Sequence, residues 1–139
     1  MNIIDIKLSI CQDRLYELLA PSVFNPTEER LLNRAKKYGE DENINIYAYK
    51  VDCNYKGIVV FEIKDKTATI LDIAVKSEYR GRGIGSKLID FIFNRFGVQS
   101  ITAETDDDAI GFYKKYGFTV ADTKVEFDTK RYVCFLSCK

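Results

Sequence analysis

The apolar residues of this chain change period several times, and each change marks an element. Ile4, Ile6 and Leu8 alternate with polar residues, which predicts a half-buried strand. Ser9-Ile10-Cys11-Gln12 reads as a capping box with Ser9 as N-cap. The helix it opens has Leu15, Leu18 and Leu19 on one face, and Pro21 ends it. A second helix starts with Asn25 as N-cap, Pro26 at the first helical position and Glu28 as the capping acid. Leu31, Leu32, Ala35 and Tyr38 form its apolar stripe, and Gly39 closes it. Period two then takes over in three strands, 44–51, 55–63 and 67–75, joined by Asp52-Cys53-Asn54 and Lys64-Asp65-Lys66. Connections this short favour an antiparallel meander. Val59, Phe61 and Ile63 point one way and Ile58 and Val60 the other, so the sheet is expected to be covered on both faces.

Downstream, Ile84, Leu88, Ile92 and Phe96 recur every four residues, with Ile89 and Phe93 widening the face and Gly97 closing the helix. A short strand over 99–104 precedes a helix over 106–116 that carries Ala109, Phe112, Tyr113 and Tyr116 near one face. Two last strands, 119–127 and 131–138, read as a hairpin through Asp128-Thr129-Lys130. The order β-α-α-β-β-β-α-β-α-β-β predicts a mixed α/β fold, a largely antiparallel central sheet flanked by helices. With 139 residues and no repeats or linkers, one domain is expected.

Composition narrows the function. The 21 basic and 21 acidic side chains cancel, which argues against a general polyanion binder such as a nucleic-acid protein. No stretch is long and apolar enough to predict a membrane helix, and residues 1–7 lack a signal peptide's pattern, so a cytoplasmic protein is expected. Cys11, Cys53, Cys134 and Cys138 form no CxxC pair and there is no histidine, so no metal site is expected and buried thiols are. Without histidine, acid–base chemistry falls to carboxylates, tyrosine, cysteine, lysine or water.

The segment Arg80-Gly81-Arg82-Gly83-Ile84-Gly85 lies between a strand and a helix. Its glycines let the backbone turn tightly and approach a ligand, and the helix start offers free N–H groups to an anion such as phosphate. Arg80, Arg82 and Lys87 add local positive charge. The Walker pattern needs Lys and then Ser or Thr after the last glycine, but Ser86-Lys87 has the reverse order. The dinucleotide fingerprint needs a third glycine where Ser86 stands. The pattern that fits is Arg-x-x-Gly-x-Gly, at Arg80, Gly83 and Gly85. With Leu71-Asp72-Ile73-Ala74-Val75 before it, it resembles the acetyl-CoA motif of the GNAT superfamily of N-acetyltransferases. The later run Ala109-Ile110-Gly111-Phe112-Tyr113, followed by Gly117-Phe118, resembles that superfamily's second signature. The two motifs occur in the family's order and at about its separation.

The resemblance implies acetyl-CoA as co-substrate, no metal, and acetyl transfer to a primary amine of a small molecule or peptide by direct attack in a ternary complex. It implies that backbone groups of Ile73, Ala74 and Val75 hold the pantetheine arm. Arg80, Gly81, Arg82, Gly83, Ile84, Gly85 and Ser86 would hold the pyrophosphate, and Asp106 would stand where family members often place an asparagine against the cofactor. Tyr113 matches the acid that protonates the departing thiolate. Glu104 matches a base acting through water, with Asp72 or water itself as alternatives. The resemblance puts the acceptor site near residues 20–25 and the last hairpin, where Pro21, Phe24 and Tyr47 could line it. A non-catalytic acyl-CoA-binding module of the same fold and transfer of a longer acyl group are the competing readings. The sequence selects neither an acceptor nor an oligomeric state, and a homodimer is compatible with it.

Overall fold

The structure is a computed structural model describing residues 2–126 and 128–138. Seven strands form one sheet in the order β1-β2-β3-β4-β5-β7-β6. Strands β1 (Ile3–Asp5), β2 (Ile44–Val51), β3 (Asn54–Lys64) and β4 (Thr67–Val75) pair antiparallel, as do β5 (Ser100–Asp106) with β7 (Thr129–Ser137) and β7 with β6 (Thr119–Glu126). Among the described residues the one parallel pairing, β4 with β5, is bridged by helix α2 (Ile84–Phe96). Helix α1 (Glu28–Glu40) precedes β2, and α3 (Ile110–Tyr116) separates β5 from β6. Phe127, expected to end a strand, lies outside the described residues.

The two-sided sheet follows from the alternation in β3. Val59 and Phe61 join Leu88, Ile89 and Ile92 of α2 in one core, while Ile58 and Val60 join Leu31 and Ala35 of α1 in the other. Burying each such side chain contributes roughly 1.5–3 kcal/mol. Gly57 lets α2 come close, because a Cβ there would stand 2.9 Å from the Ile84 side chain. The β3–β4 turn is only Asp65-Lys66, both in the left-handed region at φ 52° and 66°, which matches the twist of a tight hairpin.

The N-terminal quarter departs from its pattern. The strand stops at Asp5, and Ile6 is buried while Leu8 is 95% exposed, so the alternation does not continue. No capping box forms, since the Ser9 hydroxyl donates back to the Ile6 carbonyl. Left-handed Asp13 and Arg14 break the expected helix, and a 3-10 segment, Leu15–Ser22, takes its place with Pro21 inside it. Helix α1 starts two residues later than read. Asn25 sits at φ 50°, and Thr27 is the N-cap, accepting from the Arg30 N–H at 3.2 Å. Gly39 lies inside the helix, not after it. The β5 strand runs on to Asp106, and α3 begins only at Ile110 because Asp106 Oδ1 accepts the N–H groups of Asp108 and Ala109 in an intervening turn. The thiols also depart from expectation. Cys134 is buried, but Cys11 and Cys53 fall in turns and Cys138 beyond β7, and all three are exposed.

Candidate active site

The site arises where the two central strands part. Strands β4 and β5 pair only from Thr67↔Ser100 to Ile70↔Ala103, although both run on beyond it. The cause is a β-bulge: Phe61 faces Ile70 but Val60 faces Asp72, so Leu71 is the extra residue. A bulge bends its strand and breaks the ladder. It also shifts the phase of the side chains. Ile70 faces the α2 side, Leu71 and then Asp72 turn to the α1 side, and Ile73 and Val75 return to the α2 side.

The backbone of β4 beyond the bulge is unpaired on one edge. The Lys76 N–H donates to the Lys56 carbonyl at 2.8 Å. In an antiparallel ladder hydrogen-bonded pairs alternate with non-bonded ones. In the register Gly57↔Val75, Ile58↔Ala74, Val59↔Ile73, the non-bonded positions are therefore Ile73 and Val75. Their N–H and C=O groups point away from β3, into the gap beside β5. The Arg80 side chain already uses one of them, donating from Nε to the Val75 carbonyl at 3.3 Å.

The glycine loop closes one end of this gap. Gly81 and Gly83 have φ of 79° and 80°, a region costly for any residue with a Cβ. Gly83 caps α2 without a side-chain bond, and the first intrahelical bond is Lys87 N–H to Gly83 O, so the N–H groups of Ile84, Gly85 and Ser86 have no helical partner. Gly85 lets α3 lean on the loop: a Cβ there would stand 2.9 Å from the Phe112 ring.

A cleft of about 1820 Å³ runs along β4 from this loop to the 3-10 segment and α1. Single-ligand pockets are roughly 300–1,000 Å³, so there is room for two reactants at once. The structure places on it Ile73, Ala74, Val75, Arg80, Gly81, Gly83, Ile84, Gly85, Ser86, Glu104, Asp106 and Tyr113, all expected site residues. Arg82 is not on its wall and stacks over the Tyr79 ring at 4.7 Å. Pro21 and Phe24 line the far end, but Tyr47 packs against Phe61, Phe91 and Phe96 in the α2-side core. A repeat of alternating aromatic residues in β2 could not show which face Tyr47 takes.

The titratable groups fall into two kinds. Tyr113 is 3% exposed, its ring edge-on to Phe112 and Phe118, and it makes no hydrogen bond to another described residue. Burial, and then the neighbouring Cys134 and Asp72, push its phenol well above the usual value. The carboxylates are occupied. Burial works against the Glu104 charge, yet Lys124 at 3.1 Å and Arg131 at 3.3 Å hold its carboxyl below the ordinary 4.5. Asp72, 5% exposed, accepts from Arg34 Nη1 at 3.0 and 2.9 Å, from Ser22 at 2.8 Å and from the Tyr38 hydroxyl. Burial and then the Asp72 charge keep the Tyr38 phenol protonated. Sequence reasoning missed this four-residue network. Its only trace was Arg34 and Tyr38 four apart beside an apolar stripe. Among the described residues, no group of three or more His, Cys, Asp or Glu side chains gathers as a metal site.

Residues 40–120 match the acetyltransferase (GNAT) domain family, more than half of the chain, and the protein belongs to that family. Solved structures of similar fold cover nearly its whole length. The ribosomal-protein-S18-alanine N-acetyltransferase of Escherichia coli superposes with a TM-score of 0.77 at 16% identity, covering 97% of this chain and 92% of that one. An aminoglycoside 6'-N-acetyltransferase complexed with coenzyme A gives 0.76 at 12% identity, with coverages of 99% and 97%. A spermidine N-acetyltransferase variant from Vibrio cholerae gives 0.73 at 15% identity, with coverages of 99% and 95%. At such identities the likeness is one of fold.

Proposed function

We propose that this chain acts as a single acetyltransferase domain that moves an acetyl group from acetyl-CoA to a primary amine within a ternary complex. The observation that carries the reading is the gap between β4 and β5, with the outward backbone groups of Ile73 and Val75 on its edge. An extended arm with amides pairs there as an added strand would. The glycine loop stands at one end of the same edge, where α2 offers three free N–H groups to a pyrophosphate. A backbone N–H of β4 also serves the thioester oxygen as charge builds on it.

The amine attacks the thioester carbon as its free base. Lys124 and Arg131 hold the Glu104 carboxyl below its ordinary value, and the Asp72 oxygens are already taken by Arg34, Ser22 and Tyr38. Of the three bases considered, water in the cleft fits best. As the intermediate collapses the C–N bond stays, the C–S bond breaks and the sulfur leaves as thiolate. Tyr113 is protonated throughout the working range and donates to that sulfur. The proton released by the amine restores the balance, so the products are an amide and free CoA thiol.

Release of thiol from acetyl-CoA, followed with a thiol-reactive dye over amino acids, peptide N-termini, polyamines and aminoglycosides, tests the reading. Amine-dependent release with a matching acetylated product is expected. Acetyl-CoA binding without release to any amine would overturn it in favour of a non-catalytic acyl-CoA-binding module.

A further inference from the structure

The wall of the cleft across the sheet from the glycine loop carries a charge pattern that the transfer reaction does not require. Arg30, Asn33, Arg34 and Lys37 all line the cleft. Their spacing of three, four and seven residues puts them on one face of α1. Helix α1 packs on the opposite sheet face from α2. These cations therefore stand apart from the loop that suits the phosphates of CoA.

Arg34 is neutralised by Asp72. Arg30 and Lys37 are exposed, and among the described residues neither has an ion-pair partner. They lie seven residues apart, about 10 Å along the helix axis. The carboxylates of the cleft offer no counterweight on this side. Asp72 is held by Arg34, Glu104 by Lys124 and Arg131, and Asp106 lies 3.9 Å from Arg131 and accepts two backbone N–H groups. Asp108 stands in the turn before α3, the helix that touches the glycine loop through Phe112 and Gly85. A polycationic acceptor entering beside α1 meets two unpaired cations, and among the described carboxylates of the cleft only Asp108 has no cation partner. An acceptor bearing its own acid group meets complementary charge.

We infer that the acceptor is an amine that carries a carboxylate, of the amino-acid class, and that Arg30 and Lys37 take that carboxylate. This rests on the acetyl-transfer reading. The bond changes are those already given: C–N forms, C–S breaks, the amine proton goes to water and CoA leaves as thiol. What is new is the selection of the acceptor by charge.

The test compares kcat/KM for amino acids, the same amino acids as C-terminal amides, and spermidine, all at saturating acetyl-CoA. The acids should exceed their amides by roughly tenfold, the size expected for a charge-assisted contact. Raising the salt from low to high should shrink that ratio, since both cations are exposed. The double variant Arg30→Gln/Lys37→Gln should raise the acceptor KM for the acids with little change in kcat, and leave the KM for the amides in place. Amides or spermidine turned over as well as the acids would overturn the acceptor assignment while leaving acetyl transfer standing. Silence across this panel while peptide N-termini or aminoglycosides are turned over would also overturn the acceptor assignment alone, whereas bound acetyl-CoA with no release to any amine would remove the acetyl-transfer reading and this inference with it.

Discussion

The two walls of the cleft are made of different material. The wall of β4, the glycine loop and α2 offers backbone: the edge groups of Ile73 and Val75 and the free N–H groups after Gly83. The wall of α1 and the 3-10 segment offers side chains, locked around Asp72 or left cationic at Arg30 and Lys37. A backbone wall depends on turn geometry and tolerates many sequences around its glycines. A side-chain wall depends on which residues the helix happens to present. The first suits a reactant that never varies, the second a reactant that differs between relatives.

Four changes break or sharpen this contrast. The largest effect is expected at the meeting point of the walls. Tyr113→Phe should lower kcat roughly 100-fold, the lower range for loss of a general acid, with the KM for acetyl-CoA nearly unchanged in steady-state kinetics. An unaltered kcat would remove the hydroxyl from the reaction. Next comes the side-chain wall. Asp72→Asn leaves the Arg34 charge without its partner and should destabilise the fold by about 2–4 kcal/mol, read from urea unfolding. The lower end is expected, because the Arg34 side chain remains 39% exposed.

The backbone wall should respond in binding more than in folding. Gly83→Val forces a β-branched residue to φ 80° and sets a side chain where the loop meets its ligand. Acetyl-CoA affinity should fall at least roughly tenfold by calorimetry, because the added side chain takes space beside the free N–H groups at the start of α2. The smallest effect belongs to Glu104, whose ion pairs are partly exposed. Glu104→Gln should change stability by less than about 1 kcal/mol at neutral pH. Its folded pKa is depressed, so its contribution is present above the ordinary 4.5 and is lost as pH falls through the lowered value. The variant should therefore lose part of the acid-side decline in stability. Its pH–rate profile should keep the rise that follows deprotonation of the amine, whereas a vanished rise would mark Glu104 as the base.

The contrast between the walls also explains what the sequence disclosed. The backbone wall was legible because glycine positions and a four-residue apolar period report local geometry directly. Strands β2 and β4 and helix α2 fall where their periods put them. The side-chain wall was not legible. Ile4, Ile6 and Leu8 alternate like a strand, yet left-handed Asp13 and Arg14 and the 3-10 segment after them are set by tertiary packing against β3 and β4. Asp72 read only as an alternative to Glu104 for the base, because nothing in its spacing announced the bulge at Leu71 that turns it toward Arg34. Arg82 stands in the glycine loop by position, but nothing in the sequence announced that its guanidinium would lie over the Tyr79 ring.

The central claim is that acetyl-CoA lies along the open edge of β4 with its phosphates on the glycine loop. Amide hydrogen exchange with and without acetyl-CoA tests it most directly. The account predicts slower exchange at Ile73 and Val75 and at Ile84, Gly85 and Ser86, and no change along α1 at Arg30 and Lys37. Protection confined to α1, or none at β4 under saturating acetyl-CoA, would contradict it.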